Sequence, residues 1–373
     1  MRKKDTYMAS NIAGKKVLIT GGAGFIGHNL ALKLNSLGAI VHVTDSLQVN
    51  NLNAFALNTN NLPNQNLYLN LLHERLALLN EASIPLHVLD LRHYHVVGAL
   101  ITSLLPDVIV HLAAVAHANQ ANKSPYSTFD HSLRTLENAL DCVRLRTHCH
   151  FIYFSSSVVY GNFEDGFVTE DSVCEPLGIY GALKLAGEKL VIAYNQVFEL
   201  PYTIVRPSAL YGERCVSRRV GQIFIENALQ GLDLEIAGDG SDRLDFTYVQ
   251  DVVNGVVRMI EDPNSKNQIF NLTFGHSRSI DEMVRILRSH FPGIRVKYTP
   301  RDKFVPSRGM LSMEKARRLL GFEPQYPVEK GFPKYIEWYK SLFARRGNVI
   351  GPHGGAVART GMLRGVGEKG DSN

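Results

Sequence analysis

The chain has 373 residues, enough for one large core or two unequal domains, and its 45% hydrophobic and 20% charged content is ordinary for a globular protein. A formal net charge of +5, with no basic stripe interleaved with aromatics, argues against a nucleic-acid partner and suits an anionic small molecule. The four cysteines, Cys142, Cys149, Cys174 and Cys215, lack the paired spacing of a zinc site or a disulfide framework, and no apolar run is long enough to span a bilayer; the expectation is a cytoplasmic protein with neither metal nor membrane partner.

The run Lys16 to Thr20 suits a buried strand and leads into Gly21-Gly22-Ala23-Gly24-Phe25-Ile26-Gly27, with a helical segment from His28 to Leu37 behind it. Glycines in such a turn let the backbone approach a pyrophosphate, whose charge then faces the unpaired N–H groups of the helix start. Gly21, Gly24, Phe25, Ile26 and Gly27 are therefore candidate dinucleotide contacts. A second strand, Ile40 to Thr44, ends in Asp45, placed to accept hydrogen bonds from an adenosine ribose. Residues 46 to 85 form a polar, asparagine-rich insertion with one helical stretch, Leu67 to Leu79. A third strand, Leu86 to Asp90, carries Asp90 and Leu91 at its carboxyl end.

The fourth strand, Val108 to Leu112, runs into Ala113 and Ala114, where small side chains leave room for a flat ligand, and His111 within it reads as hydrogen-bonded core. Helical spacing covers Ser127 to Arg146 and Tyr180 to Val197, with strands at Phe151 to Phe154 and Tyr202 to Arg206. Strand, crossover helix and parallel strand recur, which implies an α/β doubly wound parallel sheet. The dinucleotide domain is expected over 12–206, with a returning segment near 245–275. A smaller mixed α/β lobe is expected over 207–244 and 276–345, with helices near 220–230, 250–261, 280–290, 312–320 and 328–343. The glycine-rich residues 346–373 are expected to be disordered.

Chemistry concentrates in two stretches. Tyr180 and Lys184 stand one helical turn apart on one face, where a nearby ammonium favours the phenolate and turns the tyrosine into a base. The run Phe154-Ser155-Ser156-Ser157-Val158-Val159-Tyr160-Gly161 follows a strand, so its hydroxyls fall at the edge of the same crevice. Ser156, Tyr180 and Lys184 beside a dinucleotide suggest removal of a hydride and a proton from an alcohol.

Over roughly Lys15 to Tyr339 the chain resembles the extended short-chain dehydrogenases/reductases that act on nucleotide sugars. The resemblance is carried by the glycine turn, Asp45, Asp90-Leu91, His111 to Ala114, Ser155 to Gly161, Tyr180 to Lys184, Arg206-Pro207, Tyr211-Gly212, Gly238 to Asp251 and Leu320 to Pro324. It implies a Rossmann sheet, NAD as cofactor, a nucleotide-diphosphate sugar as substrate and a homodimer. It also implies catalytic roles for Ser156, Tyr180 and Lys184, with Lys184 on the nicotinamide ribose, and substrate contacts from Ser157, Arg243 and Arg308. In 4,6-dehydratases and uronate decarboxylases of the family an acid follows the catalytic hydroxyl, where this chain has Ser157 and Val158. A 4-epimerase is the expected activity, with a C4 oxidoreductase or a non-catalytic NAD-binding regulator as alternatives. Ala209, His131 and Leu244 depart from the family pattern, and Arg243 stands one position early.

Overall fold

A computed structural model describes residues 11–56, 63–115, 118–301 and 306–345. The disorder expected for 346–373 concerns residues outside that set. Seven strands form one sheet: β1 (Lys16–Thr20), β2 (Ile40–Asp45), β3 (Leu86–Val88), β4 (Val108–His111), β5 (His150–Phe154), β6 (Tyr202–Pro207) and β7 (Gln268–Leu272). All pairings are parallel, in the order β7-β6-β5-β4-β1-β2-β3. A parallel sheet is covered on both faces, which is why its strands read as continuous apolar runs. Alternate side chains divide between two cores: Val17, Ile19, Ile152 and Phe154 face one, and Leu18, Phe151 and Tyr153 the other.

The first core is closed by the helices Phe25–Ser36, Val249–Glu261 and Glu314–Leu320, the second by Tyr94–Leu104, Thr135–Val143 and Gly178–Phe198. Truncating a central side chain such as Ile19 or Phe151, both fully buried, should cost about 2–5 kcal/mol through lost transfer energy and the cavity left behind. A third core joins the insertion helix Gln65–Glu81 to the helices Val220–Leu229, Ile280–His290 and Val328–Arg345 through Tyr68, Leu71, Phe224, Met283, Phe332 and Tyr335. The Ile280–His290 helix starts at a capping box, with Ser279 and Glu282 exchanging side-chain and backbone hydrogen bonds.

One expected element differs in kind. The helix expected over Ser127 to Arg146 is three pieces: Pro125–Phe129, a π-helical turn Asp130–Arg134, and Thr135–Val143. The Thr135 hydroxyl donates back to the carbonyls of His131 (2.9 Å) and Ser132 (3.2 Å), and His131 Nδ1 bonds the Ser127 carbonyl at 2.8 Å. Side chains thus compete for the helix's own acceptors and widen the turn. The strand order reverses between β1 and β4, and the crevice at their carboxyl ends is where such sheets take ligands.

Candidate active site

A cavity of about 630 Å³ opens at that crevice and extends under the lobe. Gly21, Gly24, Phe25, Ile26, Gly27, Asp45, Asp90, Leu91, Leu112, Ala113, Ala114, Ser156, Ser157, Tyr180, Lys184, Arg243 and Arg308 all line it. The glycine turn leaves no room for a Cβ at Gly21, Gly22, Gly24 or Gly27. Gly21 has φ +65°, and a Cβ there would lie 2.9 Å from the Ala113 backbone nitrogen; at Gly27 it would lie 2.5 Å from Gly22 Cα. That packing brings the start of the Phe25–Ser36 helix to the cavity wall.

Asp45 closes the turn's far side. Its carboxylate accepts from the backbone N–H of Ala23 (3.2 Å) and Leu47 (2.8 Å). Burial raises its pKa, and those hydrogen bonds together with the Arg75 guanidinium oppose the rise. Asp90 is held by Arg92, whose Nη2 lies 2.6 Å from it; burial pushes the carboxyl up, but the guanidinium and the Arg92 N–H outweigh that and keep it below the ordinary range.

At the other end, Ser156 caps the 3₁₀ turn Ser157–Tyr160 and contacts Tyr180 on the facing helix. Burial raises the Tyr180 phenol's pKa, and Arg219, the Ser156 hydroxyl and Arg308 oppose it. Arg219 and Arg308 thus bring positive charge from the lobe to Tyr180, and the Lys184 ammonium, one turn further along the helix, donates to the Phe154 carbonyl at 2.7 Å and lies over the Tyr153 ring. Burial lowers the Lys184 pKa to about 8, with Glu188 acting in the opposite direction. Ser157 presents a buried hydroxyl with no hydrogen-bond partner among the described residues. His111 is core: its Nδ1 pairs with the Thr20 hydroxyl at 3.0 Å, and burial takes its pKa down to about 3.

The two expected substrate arginines differ. Arg243 is tied to the Ser277 side chain (3.0 Å) and carbonyl (2.7 Å) and to Glu282 (3.4 Å). Arg308 has burial and the Arg219 charge pulling its pKa down to about 10, with the Tyr180 phenol acting against them. Sequence reasoning missed Arg75. It is 1% exposed, lines the cavity, and donates from Nε to the Arg214 carbonyl at 3.0 Å. The signal was there: Tyr68, Leu71, Leu72, Arg75 and Leu79 recur at helical spacing, so an arginine sits in a buried apolar stripe. Arg218 and Arg219 also line the cavity.

The sequence model of the NAD dependent epimerase/dehydratase family matches residues 17–273. The chain belongs to that family. As a member of the NAD dependent epimerase/dehydratase family it is an enzyme, and its cofactor is NAD. An uncharacterized UDP-glucose epimerase of Bacillus subtilis is 29% identical over 337 residues, covering 88% of this chain and 99% of that one. A UDP-N-acetyl-alpha-D-glucosaminuronate decarboxylase of Bacillus cytotoxicus is 27% identical, covering 88% and 98%. The crystal structure of UDP-glucuronic acid 4-epimerase from Bacillus cereus, in complex with UDP-glucuronic acid and NAD, superimposes with a TM-score of 0.75 at 25% identity, covering 88% and 99%. The crevice of this epimerase/dehydratase family member fits NAD: the glycine cradle excludes a Cβ at Gly21 and Gly27, and Asp45 stands beside it as a carboxylate acceptor. Among the described residues no helix is long and apolar enough to cross a membrane, and no group of three or more His, Cys, Asp or Glu could hold a metal ion.

Proposed function

We propose that this enzyme is a nucleotide-sugar 4-epimerase. The observation that carries the reading is the surroundings of Tyr180: a hydroxyl, Ser156, and the cations of Arg219 and Arg308. The turn bearing Ser156 continues with Ser157 and Val158, which supply no acid to expel a hydroxyl. The carboxyls lining the cavity belong elsewhere: Asp45 to the glycine turn, Asp90 to Arg92, Asp242 to Arg301 at 2.8 Å, and Glu235 to an exposed strand position. Among the described residues, elimination of water and acid-assisted decarboxylation both lack their group.

NAD, when bound, supplies the acceptor and later the donor of the sugar C4 hydride. Gly21, Gly24, Phe25, Ile26, Gly27, Asp45, Asp90, Leu91, Leu112, Ala113 and Ala114 would hold it. Tyr180 takes the C4 hydroxyl proton and returns it, the two lobe cations favouring its ionised form. Ser156 and Ser157 hold the reacting oxygen. Arg219 and Arg308 meet the substrate's negative charge, an arginine fork matching phosphate oxygens. Residues 12–206 with 245–275 hold the dinucleotide, and 207–244 with 276–345 hold the sugar nucleotide. Relatives named for UDP-sugars support UDP as the nucleotide.

Turnover of UDP-sugars in deuterium oxide, followed by chromatography and mass spectrometry, tests this. A 4-epimer without solvent deuterium is expected. Loss of water with deuterium in the product would reject the assignment, and a 4-keto product without water loss would indicate a C4 oxidoreductase. We also propose a homodimer through the helices around 127–146 and 180–197, on or beside which Tyr126, Leu145 and Val197 are exposed; light scattering at micromolar concentration reads it.

A further inference from the structure

Behind Ser156 lies a buried polar cluster that the oxidation chemistry leaves unused. Glu188, 1% exposed, follows Lys184 by four residues on the Gly178–Phe198 helix, as Lys184 follows Tyr180, so the three share one face. Its Oε1 accepts from the Ser155 hydroxyl at 2.5 Å and from Arg206 Nε at 2.9 Å, and its Oε2 accepts from Arg206 Nη2 at 2.7 Å. Arg206, 3% exposed near the end of β6, also donates from Nη1 to the Tyr160 hydroxyl at 2.9 Å. A buried ion pair is weak evidence for stability, because desolvating two charges offsets their attraction. What this pair does have is a third partner, Ser155, immediately before Ser156.

We propose that Glu188 is a positioning residue of the reaction, tying the turn that carries Ser156 to the helix face that carries Tyr180 and Lys184. The inference rests on the reading of Ser156 and Tyr180 as the reacting groups. The Ser155–Glu188 bond ends the serine turn on the helix, and the Arg206 fork fixes the carboxylate that receives it. Tyr160, at the far end of the same 3₁₀ turn, is held by the same guanidinium, so the turn is anchored at both ends. A rigidly supported constellation keeps the reacting oxygen within reach of both Ser156 and Tyr180.

The same carboxylate supplies the negative charge that acts on buried Lys184, which otherwise faces Tyr180 on its own helix and His111 and Tyr153 from the sheet. Glu188 in turn faces Arg206, with Tyr153, Tyr202 and Cys174 around it. Without the carboxylate, Lys184 would lose its proton at lower pH.

Two variants test the inference. Ser155→Ala cuts the link to the turn and leaves the ion pair intact. It should fold, bind NAD as wild type does, and lose about tenfold or more in kcat with little change in KM, since a hydrogen bond to a charged group is lost. Glu188→Gln should move the Lys184 titration midpoint down by about one pH unit, followed by ¹³Cε NMR and assigned by its loss in Lys184→Met. A Ser155→Ala enzyme with wild-type kcat, or an unmoved Lys184 midpoint in folded Glu188→Gln, overturns the inference. If Glu188→Gln fails to fold, Ser155→Ala decides. If the wild type turns over no nucleotide sugar, the proposed function fails, and the Lys184 titration decides this inference alone.

Discussion

The Lys184 ammonium donates to the Phe154 carbonyl at 2.7 Å, so the lysine one turn beyond Tyr180 is bound to the sheet and not to the phenol. Its charge is held in a buried place, where its pKa falls to about 8 from the ordinary 10.5 because burial dominates. The unfolded chain therefore binds more protons between those values, and stability rises with pH across that window; below about pH 8 the full penalty applies. Lys184→Met should raise the melting temperature at pH 7, by no more than the equivalent of about 3 kcal/mol, and the gain should shrink toward pH 10. Calorimetry at several pH values checks this. The same variant should lose most of its activity.

Tyr180→Phe should keep the fold and bind NAD yet lose activity by several orders of magnitude, because it removes the proton acceptor and little packing. Steady-state kinetics checks it, and turnover above about a tenth of wild type would end the role assigned to Tyr180.

The lobe arginines should separate by kinetics. Arg308→Ala should raise KM for the nucleotide sugar by about 10–100-fold through loss of charge-assisted hydrogen bonds. Arg243→Ala should do less, since its guanidinium is already occupied by Ser277 and Glu282. Equal effects would reject the distinction.

NAD should bind more tightly than NADP, because a 2′-phosphate would meet the Asp45 carboxylate. Arg75, whose charge opposes the burial-driven rise of the Asp45 pKa, moderates that repulsion. Asp45→Asn should narrow the preference, as measured by titration with each dinucleotide.

Ala209 has φ 37°, in the left-handed region that alanine disfavours and asparagine tolerates. Ala209→Asn should stabilise the protein by about 1 kcal/mol, read as a rise in melting temperature. Because Ala209 lines the cavity, KM should be followed as well.

What the sequence determined by itself was whatever depends on near neighbours along the chain. The apolar run before the glycine turn, the alternation of strands and helices, and the i, i+4 spacing of Tyr180 and Lys184 were all legible, because strand burial, turn geometry and helical register act over a few residues. The tertiary structure decided which distant groups share a space. Arg75 lies thirty residues beyond Asp45 in the chain, and Arg219 and Arg308 come from different parts of the lobe, yet their charges act on Asp45 and Tyr180. Local spacing pointed to Lys184 as the cation beside the phenol, but only packing against β5 showed its ammonium bound to Phe154. The π-helical turn at Asp130–Arg134 was equally hidden, since helical periodicity registers the apolar face and not the side-chain hydrogen bonds that widen a turn. Electrostatics is set by through-space distance and burial, and these exist only once the chain has folded.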